Sequence, residues 1–276
     1  MLKISQQVRR ARKTIGFVPT MGALHEGHLS LMRKARRDND VVVVSIFVNP
    51  TQFGPREDFR RYPRPLRRDL GLCRKEKVDF IFYPQAKDMY PQDFKTYVVV
   101  KDLSNVLCGK SREGHFQGVV TVVIKLFNIV QPDIAYFGQK DAQQSIIIRR
   151  MVDDLNMPVK IKVMPTVREK DGLAMSSRNT YLNARERKDA LILNKSLRLA
   201  GLLVKSGLRD ANRVIQRMKQ LIMKKKTAKI DYIAIVDTKN LKPVKRIENR
   251  CLIALAVWIG KTRLIDNMVI NVNLNV

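Results

Sequence analysis

The sequence predicts an α/β protein built on a doubly wound parallel sheet, with a smaller α+β region at the C-terminal end. Short β-branched segments alternate with segments of helical periodicity through residues 1–166, which is the order expected of a parallel sheet with helices on both faces. The run VVVVSIFV at residues 41–48 is almost uninterrupted by polar residues, as in a central strand that is buried on both sides. After residue 166 the alternation stops, and helices precede closely spaced strands.

The predicted elements follow from these patterns in chain order. In the first region we expect strands at residues 15–18, 41–48, 78–83, 97–100, 134–137 and 159–164. Pro19 should end the first strand, because proline has no N–H to donate. A helix carrying Leu29, Met32 and Ala35 follows, and further helices are predicted at residues 118–130 and 142–155. The second region should contain helices at 183–205 and 209–225 and strands at 231–236, 251–259 and 262–267. Two domains, 1–166 and 167–276, are therefore predicted.

Composition excludes several classes of protein. Hydrophobic residues make up 45% of the chain, enough for a sizeable core. No apolar run is long enough to cross a membrane, and residues 1–13 lack the apolar block of a signal peptide. Three widely spaced cysteines provide neither a disulfide framework nor a zinc pattern. We therefore expect a cytoplasmic protein.

The charge is strongly positive, with 53 basic and 25 acidic residues and a formal net charge of +28. Such an excess can indicate a nucleic-acid partner or an anionic membrane surface. The basic residues are nevertheless spread along the whole chain, and few aromatic residues that could stack on bases lie among them. We expect no specific nucleic-acid partner and no membrane, and attribute the charge to compositional drift.

Two of the three histidines, His25 and His28, occupy one window of four residues. The window follows a predicted strand and opens a helix, where free N–H groups and the helix dipole favour anions. Gly22 and Gly27 allow the backbone to approach a ligand closely. Zinc is a weaker interpretation, because the i, i+4 spacing and a third ligand are missing. Ordinary surface histidines are the remaining alternative. We predict a polyphosphate site.

Three further segments place polar groups beside predicted strands or at the domain boundary. Asn49 and Gln52 follow the second strand and could hold a substrate, or they could simply cap a turn. Lys140 is a candidate phosphate contact, and Asp141 could bind ribose or cap the next helix. Arg178, with two preceding serines, suits a mobile phosphate clamp, although a solvated turn explains that segment equally well by itself.

Taken together and in this order, the segments resemble the pantothenate synthetase family. The similarity covers essentially the whole chain. The matching segments are PTMGALHEGH (19–28), VVVSIFVNPTQF (42–53), YPR (62–64), GHFQGV (114–119), QPDIAYFGQKDAQQ (131–144), DGLAMSSRN (171–179) and VWIGKTRLIDN (257–267). Only the first of these motifs is widely shared with other nucleotide-binding families, so the combination is specific.

The resemblance implies a Rossmann-like ligase that condenses (R)-pantoate with β-alanine, using ATP and Mg²⁺. Pantoate attacks the α-phosphorus of ATP and releases pyrophosphate, and the amine of β-alanine then displaces AMP from pantoyl adenylate. His28 is the implied proton donor, and His25, Lys140 and Arg178 are the other implied catalytic cations or donors. The implied ATP site comprises Met21, Gly22, Ala23, Leu24, His25, Glu26, Gly27, His28, Gly138, Gln139, Lys140, Asp141, Val167, Met175, Ser176, Ser177 and Arg178.

Gln52 and Gln144 are the implied pantoate ligands, with Gln52 also near β-alanine, and Asn49 is added as a substrate candidate. Asp69 is the first acidic residue after the YPR segment and follows Arg67 and Arg68, and it is the one metal candidate. A homodimer is implied by the resemblance alone. Two alternatives remain at this point: another nucleotidyltransferase with the same histidine motif, and a tRNA-binding relative of the synthetases.

Overall fold

A computed structural model describes residues 1–55 and 57–272. The chain divides into two compact units. The first comprises Met1–Gln139 and Gln143–Pro165, and the second comprises Lys140–Ala142 together with the chain from Thr166 onward. In the described residues no helix has both the length and the apolar character needed to cross a bilayer.

The first unit contains a five-stranded sheet in which every neighbouring pair is parallel. Its strands are β1 (Ile15–Thr20), β2 (Val41–Ile46), β3 (Phe80–Phe82), β4 (Ile134–Gly138) and β5 (Lys160–Met164), in the order β3-β2-β1-β4-β5. The chain thus winds outward in both directions from β1. This confirms the predicted doubly wound α/β sheet.

Helices connect these strands. They are α1 (Leu2–Arg10), α2 (Glu26–Asp38), α3 (Leu66–Lys75), α4 (Ala86–Met89), α5 (Cys108–Ser111), α6 (His115–Val130) and α7 (Ala142–Asp154). The predicted helix α2 is present, and α6 and α7 were predicted to within three residues at each end. The helices α1 and α3 were not predicted, because charged and polar residues fill half or more of each segment and obscure the narrow apolar stripe.

Two strand predictions in this unit were wrong. Pro19 does not end β1, since the strand continues to Thr20 with Pro19 opposite Ser45 of β2. This is tolerated because β1 pairs with β4 only at Gly16 and Phe17, so no ladder bond is lost on that side. The predicted strand at residues 97–100 is not formed, and the segment pairs with no strand of the described chain. Its Val98 N–H donates instead to the Thr121 hydroxyl of α6 at 3.0 Å.

A polar network ties the end of α2 to the sheet. The Asp38 carboxylate accepts hydrogen bonds from Lys162 and Lys34, both at 2.6 Å, and from the buried Tyr136 hydroxyl at 2.9 Å. Asn39 donates in turn to the Tyr136 oxygen at 2.8 Å. Burial opposes the charge on Asp38, but the three donors outweigh it and hold the pKa of this carboxyl well below its usual range. Burial and the neighbouring Asp38 raise the pKa of Tyr136.

The second unit is α+β. It contains α8 (Ala184–Ala190), α9 (Ile192–Lys205), α10 (Ala211–Ile222), β6 (Ala228–Asp237), β7 (Arg250–Ile259) and β8 (Thr262–Asn271), with the strands antiparallel in the order β6-β7-β8. Leu197, Val214 and Met218 from the helices share one core with Ile253 and Leu255 of β7. The single helix expected at 183–205 is instead two helices, α8 and α9, which meet at Leu191.

The Asp38 network predicts that part of the free energy of unfolding is lost at acidic pH. Because the folded-state pKa of Asp38 is lowered, its contribution is complete above the unfolded pKa of about 4 and is lost as pH falls below that value. Asp38→Asn should therefore lower the free energy of unfolding by about 2 kcal/mol at pH 7, and the difference from the parent should shrink at pH 3. Urea unfolding at both pH values measures this.

The matched control for that experiment is Asp154→Asn. Asp154 forms an exposed ion pair with Arg150 at 3.5 Å, and such pairs contribute little. This control should shift stability by less than about 0.5 kcal/mol at either pH. An equal loss for Asp38→Asn at pH 7 and pH 3 would contradict the assignment.

Candidate active site

The candidate residues of the first unit gather at one edge of the parallel sheet. Strands β1, β2 and β4 end at Thr20, Ile46 and Gly138, and parallel strands bring their carboxyl ends to the same edge. The strand order reverses between β1 and β4. Ligands of open α/β sheets bind outside the carboxyl ends of the strands at such a reversal.

The loop that follows β1 has an unusual backbone held by one carboxylate. Gly22 and Ala23 both adopt positive φ, 79° and 49°, which is uncommon for alanine. Asp69 of α3 accepts the Ala23 N–H at 2.8 Å and the Leu24 N–H at 2.9 Å, one on each oxygen. The Thr20 hydroxyl accepts the Gly22 N–H at 3.1 Å. Asp69 is only 1% exposed, so its charge is stabilised by these amides and fixes the loop.

These contacts bear on the magnesium ion that the family implies. Both oxygens of Asp69, the one metal candidate, are already bound to backbone amides, and its neighbours Arg67 and Arg68 are cationic. Across residues 1–55 and 57–272, no three His, Cys, Asp or Glu side chains come together as a metal-binding group. Among the described residues, Asp69 is thus occupied in holding the loop, and no larger acidic cluster stands ready to hold Mg²⁺ without the phosphates of a nucleotide.

His25 and His28 form a reciprocal cap at the start of α2. The Nδ1 atom of His25 accepts the Gly27 N–H at 3.2 Å, and Nδ1 of His28 accepts the His25 N–H at 3.3 Å. The ring centroids are 4.1 Å apart. A nitrogen that accepts a hydrogen bond carries no proton, so each neutral ring bears its proton on Nε2. The cap thus presents two N–H donors at the positive end of a helix.

Glu26, the first residue of α2, forms an ion pair with Arg33, which also binds Glu76, the residue that follows α3, at 2.6 and 2.9 Å. Hydrogen bonds from Arg33 to both carboxylates raise the pKa of Arg33 above its usual range. This exposed cluster holds α2 against α3.

The turn after β2 orients Gln52. Asn49 is buried, and its Nδ2 donates to Gln52 Oε1 at 3.1 Å and to the Gly118 carbonyl at 3.0 Å. Its Oδ1 accepts the Thr51 hydroxyl at 3.0 Å. Gln52 Nε2 lies 3.1 Å from the Met21 sulfur. The side chain of Asn49 is thus used to hold the turn, which is one of the two alternatives left open by the sequence. Gln52 is half-buried beside Met21, in the loop that follows β1.

A group of residues that contacts the Gln52 carbonyl was not predicted from the sequence. His115, the third histidine, lies at the start of α6 and donates from Nδ1 to the Gln52 carbonyl at 2.8 Å. Its Nε2 accepts from Arg112 at 2.9 Å, because arginine can only donate. Arg112 is held in turn by Glu57, with contacts of 2.7 and 2.5 Å. The sequence signal for this group was the i, i+3 spacing of Arg112 and His115, where His115 is the first residue of a helix.

Helix α7 carries two adjacent glutamines with different roles. Gln143 is buried and accepts the Cys108 N–H at 3.0 Å, while its Nε2 donates to the carbonyls of Leu103 and Val106 at 3.0 and 2.7 Å. Gln143 therefore anchors the segment from Leu103 to Cys108 against α7. Gln144, the predicted substrate residue, is half-buried.

A cavity of about 420 Å³ opens in the first unit beside the loop that follows β1. It is lined by the loop, by the end of β2 and by the segments around α3 and α4: Met21, Gly22, Ile46, Phe47, Val48, Phe59, Arg64, Leu66, Asp69, Tyr83, Pro84, Gln85 and Ala86. The predicted substrate residues Gln52 and Gln144 do not line it.

The remaining candidates lie in the second unit. Lys140 is 20% exposed and pairs with Asp141 at 3.5 Å. Val167 accepts the Met175 N–H at 3.0 Å, which closes a hairpin whose turn contains Gly172 at φ 96°. The hairpin leads into a short 3₁₀ helix, Ser177–Tyr181.

The Ser176 hydroxyl caps that 3₁₀ helix by accepting the Arg178 N–H at 3.3 Å. Ser177 and Arg178 are half-buried. The segment is therefore an ordered cap-and-turn that carries Arg178 at a defined position, rather than a fully solvated turn.

Comparison with known proteins identifies the family. A family model described as pantoate-beta-alanine ligase matches residues 1–269. The pantothenate synthetase of Caldicellulosiruptor saccharolyticus is 57% identical over 272 residues, covering 99% of this chain and 97% of the relative. That of Fervidobacterium nodosum is 60% identical over 271 residues, covering 98% and 96%.

Solved structures agree with the sequence relatives. The crystal structure of pantothenate synthetase from Thermus thermophilus superposes with a TM-score of 0.91 at 44% identity, covering 96% of each chain. Pantoate-beta-alanine ligase from Francisella tularensis, complexed with beta-gamma ATP and beta-alanine, gives 0.78 at 38% identity, covering 97% of this chain and 95% of the other. The chain therefore belongs to the pantoate-beta-alanine ligase family and is a ligase that forms a carbon–nitrogen bond.

Proposed function

We propose that this chain condenses (R)-pantoate with β-alanine through a pantoyl-adenylate intermediate, consuming ATP and releasing pyrophosphate and AMP. The single observation that carries the proposal is the capped pair His25 and His28, which opens α2 after the first strand, at the carboxyl edge of the sheet. Family membership supports the substrates. The bound ligands of the Francisella tularensis ligase support ATP and β-alanine.

In the first step a carboxylate oxygen of pantoate attacks the α-phosphorus of ATP. A new P–O bond forms, the bond from the α-phosphorus to the bridging oxygen breaks, and pyrophosphate leaves with the electron pair. Negative charge builds on the departing oxygens, so fixed donors stabilise this transition state. We assign that role to His25, His28, Lys140 and Arg178, with His28 as the proton donor to the leaving group. Magnesium enters with ATP as part of the substrate.

In the second step the neutral amine of β-alanine attacks the acyl carbon of pantoyl adenylate. The new C–N bond forms as the acyl–oxygen bond breaks, AMP leaves, and the amine loses one proton. Positioning alone supplies much of the rate in such a reaction. We assign Gln52 to both organic substrates and Gln144 to pantoate. Asn49 and His115 hold the Gln52 side chain and carbonyl.

The full ATP site that we propose follows the resemblance residue by residue. In the first unit it comprises Met21, Gly22, Ala23, Leu24, His25, Glu26, Gly27, His28, Gly138 and Gln139. In the second unit it comprises Lys140, Asp141, Val167, Met175, Ser176, Ser177 and Arg178. We likewise propose that residues 1–166 bind nucleotide and pantoate and that residues 167–276 serve as a lid.

We also propose a homodimer. The segment at residues 97–100 has strand-forming residues and pairs with no strand in the described chain. Its alternate side chains Tyr97 and Val99 are 48% and 55% exposed, whereas Val100 is buried. Exposed apolar side chains that no strand of the described chain covers are suited to pairing with the same segment of a second copy.

The two-step mechanism predicts that pyrophosphate release and AMP release require different sets of substrates. With ATP, magnesium and pantoate alone, the enzyme should release about one pyrophosphate per active site and then stop, because the adenylate stays bound. AMP should appear in multiple turnovers only after β-alanine is added. Rapid-quench analysis of labelled ATP measures both products. Steady AMP formation without β-alanine would contradict the proposal.

The histidine cap allows its structural and chemical roles to be separated. Ser at position 25 and Gln at position 28 rebuild a standard capping box without imidazole. The double variant His25→Ser/His28→Gln should keep the melting temperature within a few degrees of the parent. Its kcat should nevertheless fall about 100-fold or more, because both imidazole N–H donors are lost.

The matched variant for that experiment is His25→Ala, which removes the cap as well. It should lose activity and also about 1 kcal/mol of stability. Near-normal turnover by the rebuilt capping box would show that the histidines act only as helix caps.

The dimer proposal predicts a mass near twice the 31.8 kDa of the chain in light scattering. Val99→Lys should yield a monomer, because a charge at the pairing edge opposes association. Leu202→Lys is the control: Leu202 is 66% exposed on α9, and its replacement should leave the mass unchanged. A parent protein that is monomeric at micromolar concentration would overturn the proposal.

A further inference from the structure

Three residues, Lys140–Ala142, group with the second unit although the chain on both sides of them belongs to the first. One side chain of the second unit contacts them directly. Asn267 of β8 donates from Nδ2 to the Lys140 carbonyl at 2.8 Å. Asn267 is only 6% exposed, so the hydrogen bond is shielded from water and worth more than a surface contact.

The preceding residue of β8 holds a different segment. Asp266 is 2% exposed and forms a two-point ion pair with Arg168, at 2.7 and 2.9 Å. The same guanidinium donates to the Gly172 carbonyl at 3.1 Å. Because the buried carboxylate needs its partner, Arg168 is held firmly in place. Asp266 thereby secures both the strand and the turn of the hairpin that precedes Ser176.

The hairpin in turn fixes the Arg178 segment. Asn179, the next residue, donates from Nδ2 to the Ala174 carbonyl at 3.1 Å and to Glu169 at 2.8 Å. Glu169 also binds Arg187 of α8 at 2.6 Å. A continuous series of hydrogen bonds therefore runs from Asp266 through the hairpin to the residue beside Arg178.

Adjacent residues of a strand project to opposite faces of the sheet. Asp266 and Asn267 can therefore reach two separate segments from a single point of β8. That point is well determined, since β8 pairs with β7 from Thr262 to Asn271 without a register shift. Two cation-bearing segments that are far apart in sequence are thus tied to the same pair of strand residues.

We propose that Asp266 and Asn267 are positioning residues that hold the Lys140 and Ser176–Arg178 segments in a fixed mutual arrangement for binding the phosphates of ATP. The inference rests on the proposed function for the identity of ATP as ligand. Neither side chain needs to touch the nucleotide. Each acts through a backbone group or an ion pair, and small displacements of phosphate-binding cations are costly to both affinity and rate.

The test is a double-mutant cycle on ATP affinity, measured by calorimetry with a non-hydrolysable ATP analogue. Asn267→Asp removes the donor to Lys140 with little change in volume and should raise the dissociation constant about tenfold. In the Lys140→Ala background the same change should have less than about a threefold effect, because the residue it positions is gone. Asn271→Asp, the same replacement near the far end of β8, should leave the affinity unchanged.

A second variant guards against misfolding. Asn267→Ala removes the side chain without adding a charge, and hydrogen exchange of the peptide containing Lys140 should become faster while exchange in β7 stays slow. Equal and independent effects of Asn267→Asp in the parent and Lys140→Ala backgrounds would overturn the inference. Binding is measured without turnover, so an enzyme that binds ATP but makes no amide would overturn the proposed function while the cycle still decides this inference.

Discussion

The first unit depends on one buried carboxylate. Asp69 accepts the amides of Ala23 and Leu24, and this allows a non-glycine residue to keep a left-handed backbone immediately before Leu24 and His25. The strain at Ala23 is modest, on the order of 1 kcal/mol, and each hydrogen bond to a charged group offsets a comparable amount. Without this anchor the loop would not deliver His25 to the N-terminal cap of α2. This buried acidic group therefore shapes the backbone of the loop that follows β1.

The histidine pair shows how a structural motif can prepare chemistry. Each imidazole uses Nδ1 to satisfy a backbone amide that the helix itself cannot pair. This choice sets the tautomer, so the opposite nitrogen of both rings is a donor before any ligand arrives. Donors that are already oriented need no reorganisation when charge develops on a phosphate. The ring centroids lie 4.1 Å apart, so the two imidazoles form one compact group at the start of α2.

Elsewhere in the chain, too, one residue has the proposed chemical role and other residues hold it in position. Asn49 donates a hydrogen bond to the Gln52 side chain, and His115 donates one to the Gln52 carbonyl. Helix α6 packs closely against this turn at Gly118. A larger residue does not fit there, because its Cβ would lie 2.3 Å from the Thr51 carbonyl oxygen. In the second unit Asp266 and Asn267 hold the segments that carry Arg178 and Lys140. In each case the residue with the proposed chemical role is only partly buried, and the residues that orient it are buried and fully occupied.

The amino-acid sequence by itself determined the α/β class, most strand and helix positions, the family and the segments to which we assign the chemistry. These follow from local periodicity and from motifs whose residues are adjacent in the chain. It failed where pairing partners decide the outcome: Pro19 remains in a central strand because β4 pairs with β1 only at residues 16 and 17, and residues 97–100 form no strand because Val98 binds a helix side chain. Only the tertiary structure assigned Asp69 to the loop, Asn49 to the turn, and His115, Asp266 and Asn267 to supporting roles. The physical reason is that a buried polar side chain takes its function from partners distant in sequence, and no local pattern specifies which partner it will meet.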